Sequence, residues 1–383
     1  MRILIVVTHL LGAGHLRRSL NLAQAFQRAD HEVALVSGGI PIPQFRADGV
    51  SVLQLPPVQS DGVSFQRLLK ADGHVVTKGY LESRKTRLIE LLGKQSPDIL
   101  ITELFPFGRR ILKAEFEDLL YNASLLTDKP IVLASIRDIL SSPSTTAKAM
   151  ETDRLVHKYY DAVLVHSDQN TTALDLSWPV TTEMSGKLRY TGYVSQPLSE
   201  TCTTSGGPKE VVVSAGGGSV GGRLYEVALA AASLTKKLSW RILVGGSNAE
   251  TEIKRLKAKF PSSHAVTIEP AREDFRQLLL NAECSVSMCG YNTAVDLLQT
   301  GTPGVLVPFD AGGETEQRLR ADSLSERMAY KTILSHELTP EILIQSIEDV
   351  RRVGRFQSSQ VKFDGAAESV RIAEELVRAR ERR

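Results

Sequence analysis

Short apolar runs recur along the chain and alternate with longer stretches whose apolar positions repeat every three or four residues. In the first half the runs fall at 2–8, 32–36, 50–54, 98–102, 130–135 and 161–166, and amphipathic stretches at 15–29, 77–94, 108–121 and 145–160. Runs such as Ile131-Val132-Leu133-Ala134 lack the polar alternation of a half-exposed strand. They suit a parallel sheet covered on both faces. Strands alternating with helical patterns predict a doubly wound α/β domain.

A second series follows the polar stretch Thr201–Pro208. Its runs are Val211-Val212-Val213, Arg241–Val244, Ala265–Ile268, Cys284–Ser287 and Gly304–Val307, and a helical pattern covers Ala366–Arg380. The reading is two Rossmann-like domains, 1–200 and 201–383, with that helix expected to pack back on the first. Neither a close internal repeat nor a low-complexity segment is present. Ligands of open α/β sheets bind beyond the carboxyl ends of the strands. Two such domains facing across a cleft are expected to enclose a ligand between them.

Composition narrows the partners. A length of 383 residues exceeds one ordinary core, and 42% apolar with 23% charged residues is that of a globular protein. The net charge of +2 is balanced in both halves, which argues against a duplex-binding protein. Cys202, Cys284 and Cys289 have no paired metal spacing, and the latter two flank an apolar stretch as buried small hydrophobes would. With no leader pattern and no membrane-length apolar run, a cytoplasmic protein is expected, with peripheral contact at the inner membrane face left open. No Asp-x-Asp triplet occurs, so a metal-independent protein without a cofactor is expected.

Chemistry-bearing motifs stand just after the strands. Gly12-Ala13-Gly14-His15-Leu16-Arg17-Arg18 gives a tight turn and a helix opening with a histidine. Helix starts favour anions and disfavour imidazolium, so His15 reads as a neutral candidate base beside an anion site at Gly14. Glu103–Arg110 brings Phe105, Phe107, Arg109 and Arg110 after a strand, either as an acceptor or lipid-surface site or as ordinary packing. Ser135-Ile136-Arg137-Asp138 offers Asp138 as an orienter of His15 and Arg137 as an anion ligand, or simply an internal ion pair. His166, at another strand end, reads as structural.

In the second half, Ser214–Arg223 contains Gly217, Gly218, Ser219 and Arg223, which suit backbone approach to a diphosphate; the alternative is a flexible turn. Gly290-Tyr291-Asn292-Thr293 ends a strand and opens a helix, where Asn292 and Thr293 can cap while neighbouring amides hold phosphate. Asp296 has capping-box spacing or, alternatively, accepts from ribose hydroxyls. Glu316 and Gln317 follow Pro308–Thr315 and suit sugar hydroxyls or a solvated face. Arg272, with Glu273 and Phe275, is a candidate to frame the nucleobase.

The order Gly290-Tyr291-Asn292-Thr293-Ala294-Val295-Asp296, Gly301-Thr302-Pro303, a Val-Pro strand end and Glu316-Gln317 resembles the donor domain of GT-B glycosyltransferases. It is especially similar to the peptidoglycan lipid-intermediate N-acetylglucosaminyltransferase family, of the glycosyltransferase family 28 C-terminal type. The resemblance covers most of 209–330. It implies a GT-B fold, ribose recognition at Asp296, sugar recognition near Gln317, and diphosphate contacts at Ser219 and Asn292-Thr293. It departs from that family in Asp296, where Glu is usual, and in Glu316, where His is frequent. The Gly12–Arg18 motif also resembles a GT-B-like nucleotide-sugar hydrolase of nonulosonate synthesis, in which the matching histidine, His15 here, is the active-site residue and Arg18 matches its arginine.

The expectation is therefore transfer of a sugar from a nucleotide donor, UDP-sugar favoured, to an unknown acceptor hydroxyl. The acceptor would be saccharide, lipid-linked or a small molecule. His15 would act as base, and Arg18, Arg109, Arg137 and Asp138 would lie on the acceptor side. Inversion at the anomeric carbon follows from the resemblance. Hydrolase or epimerase chemistry on the same fold is the enzyme alternative. A dinucleotide dehydrogenase, with Glu32 as its ribose acid, and a non-catalytic sensor are the other classes. His15 is expected to face the Gly290–Asp296 helix start.

Overall fold

The computed structural model describes residues 1–10, 14–42, 47–61, 67–195, 209–218, 220–235, 237–246, 248–260, 265–310, 314–327, 329–356 and 361–382. The chain divides into two compact units. The first comprises 1–169, 173–195 and 362–383, and the second 170–172 and 196–361.

The first unit is built on a seven-stranded sheet in the order Ser51–Gln54, Glu32–Ser37, Arg2–Val7, Ile99–Glu103, Ile131–Arg137, Ala162–His166 and Leu188–Tyr190. Every pair is parallel. The central strands are buried along nearly their whole length because helices cover both faces. One face packs on Lys78–Gln95, Lys113–Leu125 and Thr146–Tyr159 through Leu88, Leu92, Phe116, Leu120 and Val156. The other packs on Gly14–Arg28 and Gly365–Glu381 through Leu20, Phe26, Ile372 and Ala373.

Three elements differ from the sequence reading. The helix expected from 108 begins as a 3-10 turn at Arg110–Leu112, because Leu104 and Arg109 take left-handed backbone (φ 66° and 59°). Leu188–Tyr190 and, in the second unit, Tyr330–Thr332 extend the sheets by short edge strands whose mixed polarity gives no apolar run.

The second unit carries a six-stranded sheet in the order Val266–Pro270, Ser239–Val244, Glu210–Ser214, Cys284–Ser287, Gly304–Leu306 and Tyr330–Thr332, again parallel throughout. Gly222–Leu234 and Pro340–Val353 bury Leu224, Ala228, Leu343 and Ile347 against it. Loops lead from the carboxyl ends of Glu210–Ser214 and Cys284–Ser287 into the helices that follow. The candidate residues stand at those loops.

Candidate functional site

At the carboxyl end of the first sheet, His15 occupies the second residue of Gly14–Arg28 and Glu103 ends the neighbouring strand Ile99–Glu103. His15 Nδ1 donates to Glu103 Oε1 at 2.7 Å, which leaves the lone pair on Nε2. The imidazole is only 14% exposed, and Glu103 is fully buried. Burial lowers the His15 pKa to about 3, with Arg109 and Arg137 adding to the effect against the opposing charge of Glu103. Burial alone would raise the Glu103 carboxyl, yet the His15 hydrogen bond and the Arg18 and Arg109 guanidinium groups hold it below the usual carboxylate range. The result is a neutral imidazole on an ionised carboxylate.

Arg18, one turn along the same helix and itself buried, pairs with Glu103 Oε1 through Nη2, and Arg109 Nη2 lies 4.0 Å from Oε2. The expected orienter, Asp138, serves otherwise: its Oδ1 accepts the Ile139 amide at 2.7 Å. Glu103 takes the orienting place because its strand neighbours the one that leads into the histidine loop. Phe105 and Phe107 are 1% and 2% exposed, so they pack in the core and present no acceptor or lipid surface. Phe105 stacks on Phe116 with ring centroids 4.8 Å apart. His166 is sealed between Ser135 Oγ at 2.8 Å and Thr191 Oγ1 at 2.9 Å, a structural role. Gly12 and Ala13 lie outside the described residues.

The second cluster stands at the carboxyl end of the second sheet. Gly216 (φ 77°) turns the chain after Glu210–Ser214, its amide donating to Ser214 Oγ at 3.1 Å. A Cβ on Gly245 would stand 2.1 Å from the Gly216 carbonyl, so that residue's lack of a side chain seats the loop. Gly217 and Gly218 are exposed at its crest, and Arg223 is exposed on the first turn of Gly222–Leu234. Ser219 lies outside the described residues.

A Cβ at Gly216 would be 3.9 Å from Thr293 Oγ1, which brings this loop beside the start of helix Tyr291–Thr300. Gly290 is the N-cap there and no side chain caps the helix, so Asn292, Thr293 and Asp296 do not take the capping role. A helix start of this kind directs its first amides as donors toward an anion. Asp296, half-buried, lies 3.8 Å from Arg276, a neighbour the sequence reading did not single out.

The third loop joins them through helix Glu316–Ser325, whose Arg320 donates to the Cys289 carbonyl at 2.9 Å. Gln317 Oε1 accepts the Phe309 amide at 3.2 Å, and its NH2 group is the donor end of that side chain. Glu314, also missed by the sequence reading, accepts the Glu316 amide at 2.5 Å and the Gln317 amide at 3.4 Å. Burial raises its carboxyl pKa, and Glu316 adds to the effect. Arg272, just beyond Val266–Pro270, is exposed and held in a fork by Asp274 at 2.8 and 2.6 Å.

Glu32 opens its strand at the amino end, the edge opposite the ligand loops, and is exposed there; it cannot serve as a dinucleotide ribose acid. Among the described residues, no group of three or more His, Cys, Asp or Glu gathers as a metal site, and no helix is long and apolar enough to cross a membrane.

Residues 212–376 match the glycosyltransferase family 28 C-terminal domain. A UDP-N-acetylglucosamine–N-acetylmuramyl-(pentapeptide) pyrophosphoryl-undecaprenol N-acetylglucosamine transferase of Desulforamulus reducens is 34% identical over 85 residues, 22% of this chain and 23% of that protein. The transferase of the same description from Thermotoga sp. strain RQ2 is 28% identical over 136 residues, 35% of this chain and 37% of that protein. The chain thus aligns with well under half the length of either relative. The structure of MurG from Acinetobacter baumannii superposes with a TM-score of 0.65 at 13% identity, covering 98% of this chain and 100% of that one. The chain thus has the GT-B fold, with a parallel sheet in each unit, and its residues 212–376 are similar to the glycosyltransferase family 28 C-terminal domain.

Proposed function

We propose that this protein is a glycosyltransferase that takes a sugar from a nucleotide-diphosphate donor, UDP-sugar favoured, and passes it to an acceptor hydroxyl. The carrying observation is the convergence of three loops in the second unit on one uncapped helix start, within the family 28 domain. In this reading the amides opening Tyr291–Thr300 and the Gly216–Gly218 crest bind the diphosphate, Asp296 the ribose, and Gln317 with Glu316 the sugar hydroxyls. The relatives, transferases named for UDP-N-acetylglucosamine and a pyrophosphoryl-undecaprenol acceptor, support a nucleotide donor and make a lipid-linked acceptor the first to try.

His15 Nε2 takes the acceptor's hydroxyl proton as that oxygen attacks the anomeric carbon. The bond from that carbon to the diphosphate breaks, and the diphosphate leaves with the electron pair. The imidazolium so formed is stabilised by Glu103, and general-base assistance of this kind is worth about 10²–10⁴-fold. Charge developing on the leaving group falls on the helix-start amides. The reaction inverts the anomeric carbon and uses no metal, and the protein works in the cytoplasm with peripheral membrane contact open to a vesicle-binding assay.

The test is incubation of the full chain with a panel of nucleotide sugars, with and without candidate acceptors, preceded by a thermal-shift screen of the same donors. Donor-dependent stabilisation and acceptor-dependent nucleotide release are expected. Absence of any shift across the panel sinks the donor reading. Rapid sugar release without acceptor would favour the hydrolase, a reading that the Gly14-His15-Arg18 pattern also fits.

A further inference from the structure

On the sheet edge that carries His15, Arg110 opens the 3-10 turn Arg110–Leu112, directly after the left-handed residue Arg109 (φ 59°). The two neighbouring guanidinium groups go to different places. Arg109 approaches Glu103, the partner of His15, whereas Arg110 lies over the ring of Trp178, its Cζ 5.8 Å from the centroid. Trp178 is 1% exposed and stands edge-on to Phe107, with ring centroids 5.1 Å apart. The preceding residue, Ser177, accepts the Leu140 amide at 3.0 Å, which ties this segment to the loop after Ile131–Arg137. Arg110 Nη2 and Trp178 Nε1 are both buried, and neither has a hydrogen-bond partner among the described residues.

A buried indole N–H usually finds an acceptor, and a buried donor left without one is costly. The surrounding ion pairs do not supply it. Lys113 pairs with Glu151 and lies 3.9 Å from Glu117, which Arg154 approaches to 3.7 Å. Two cations there face two carboxylates, and Arg110 is a further positive charge on which Glu151 acts only electrostatically. A planar guanidinium fork with one surplus charge, beside a neutral N–H, matches a monoanion with two acceptor oxygens. A carboxylate has that charge and shape. A phosphate monoester carries nearly two charges, more than this surplus offsets.

We propose that Arg110, held on the face of Trp178, is a subsite for a carboxylate borne by the acceptor, which makes that acceptor an acidic saccharide or a conjugate of one. The proposal rests on the acceptor reading above and narrows its substrate class.

The test labels the full-length chain with fluorotryptophan and follows the fluorine resonances during titration with glucuronate, glucose-6-phosphate and glucose. The chain has two tryptophans. Trp240, in the core of the second unit, is the internal control, and Trp240→Phe assigns the signals. Glucuronate is expected to move the Trp178 resonance saturably and leave that of Trp240 still, while glucose moves neither. Arg110→Gln is expected to weaken glucuronate by about tenfold or more, the scale of a hydrogen bond to a charged group. Arg110→Lys, which keeps the charge without the fork, is expected to fall between the two. An unmoved Trp178, an equal response to glucose, tighter binding of glucose-6-phosphate, or a glutamine variant equal to the wild type would overturn the proposal. So would loss of cooperative unfolding in both Arg110 variants, which would make the stack a packing contact alone. Because the titration contains no nucleotide sugar, the two readings fail separately. Donor stabilisation without glucuronate binding removes this inference alone; glucuronate binding without donor stabilisation keeps the carboxylate subsite and removes the transferase.

Discussion

At His15, burial and the Glu103 carboxylate act in opposite directions on the imidazole, and burial prevails, leaving the pKa at about 3. The ring is therefore proton-free through the whole range above that value. The kcat/KM profile is expected to stay level from pH 7.5 to 5, where a base of ordinary pKa would lose about tenfold per unit below 6.5. His15→Ala is expected to lower kcat by about 10²–10⁴-fold with the unfolding midpoint little changed. Glu103→Gln removes the charge that stabilises the imidazolium, so it should lower kcat without raising the donor KM; an unaltered kcat would exclude the orienting role. His166 is likewise held at about 3 by burial, with Arg18 adding to the effect. Unfolded imidazoles protonate near 6.5, so the unfolded chain binds more protons below that pH and stability falls as pH drops from about 6.5 toward 3. Thermal melts across that window should show the decline, less steeply in His166→Gln. The Gly-x-Gly-His turn made His15 and Arg18 legible in the sequence. Glu103 was not: its partner lies 88 positions away, and Asp138 also followed a strand.

Among the elements, the most demanding is the loop between Glu210–Ser214 and Gly222–Leu234. It is held by absences: no Cβ at Gly245, where one would meet the Gly216 carbonyl at 2.1 Å, and positive φ at Gly216. Gly245→Ala is expected to displace the loop and weaken nucleotide-diphosphate binding while both sheets persist, which titration and far-ultraviolet circular dichroism together would check. In the first unit, Lys78–Gln95 and Lys113–Leu125 are clamped by Arg84 and Glu115, bonded in a fork with both contacts at 3.0 Å. Arg84 also donates to the Gly38 carbonyl at 3.0 Å. Glu115→Ala strands a buried cation and should cost about 3–5 kcal/mol, read from denaturant unfolding. The interior strands were legible because both their faces are covered and most of their positions are apolar. Leu188–Tyr190 and Tyr330–Thr332 were not, since an edge strand of three residues buries too little to leave a pattern. The clamp also escaped notice, because Arg84 and Glu115 each look like the solvated side of an amphipathic helix.

Across the whole molecule, the first unit is assembled from two separated stretches of sequence, 1–195 less three residues, and 362–383. Helix Gly365–Glu381 lies in the same core as Gly14–Arg28, and the backbone of Tyr193 exchanges hydrogen bonds with Lys362 and Gly365 at 2.8 and 3.1 Å. Deleting residues 365–383 should expose Leu20, Phe26 and their neighbours, lowering the first unit's calorimetric transition and sparing the second's. Sequence pattern could show that the segment is an amphipathic helix; the face it covers depends on where the chain returns. That arrangement sets an order for biosynthesis. The ribosome must add the 166 residues of 196–361 before the closing helix exists, an interval of roughly 10–30 s at ordinary elongation rates. Throughout it, the apolar flank of the helix that carries His15 lacks its cover, so the candidate base belongs to the part of the nascent protein that must wait longest to be finished.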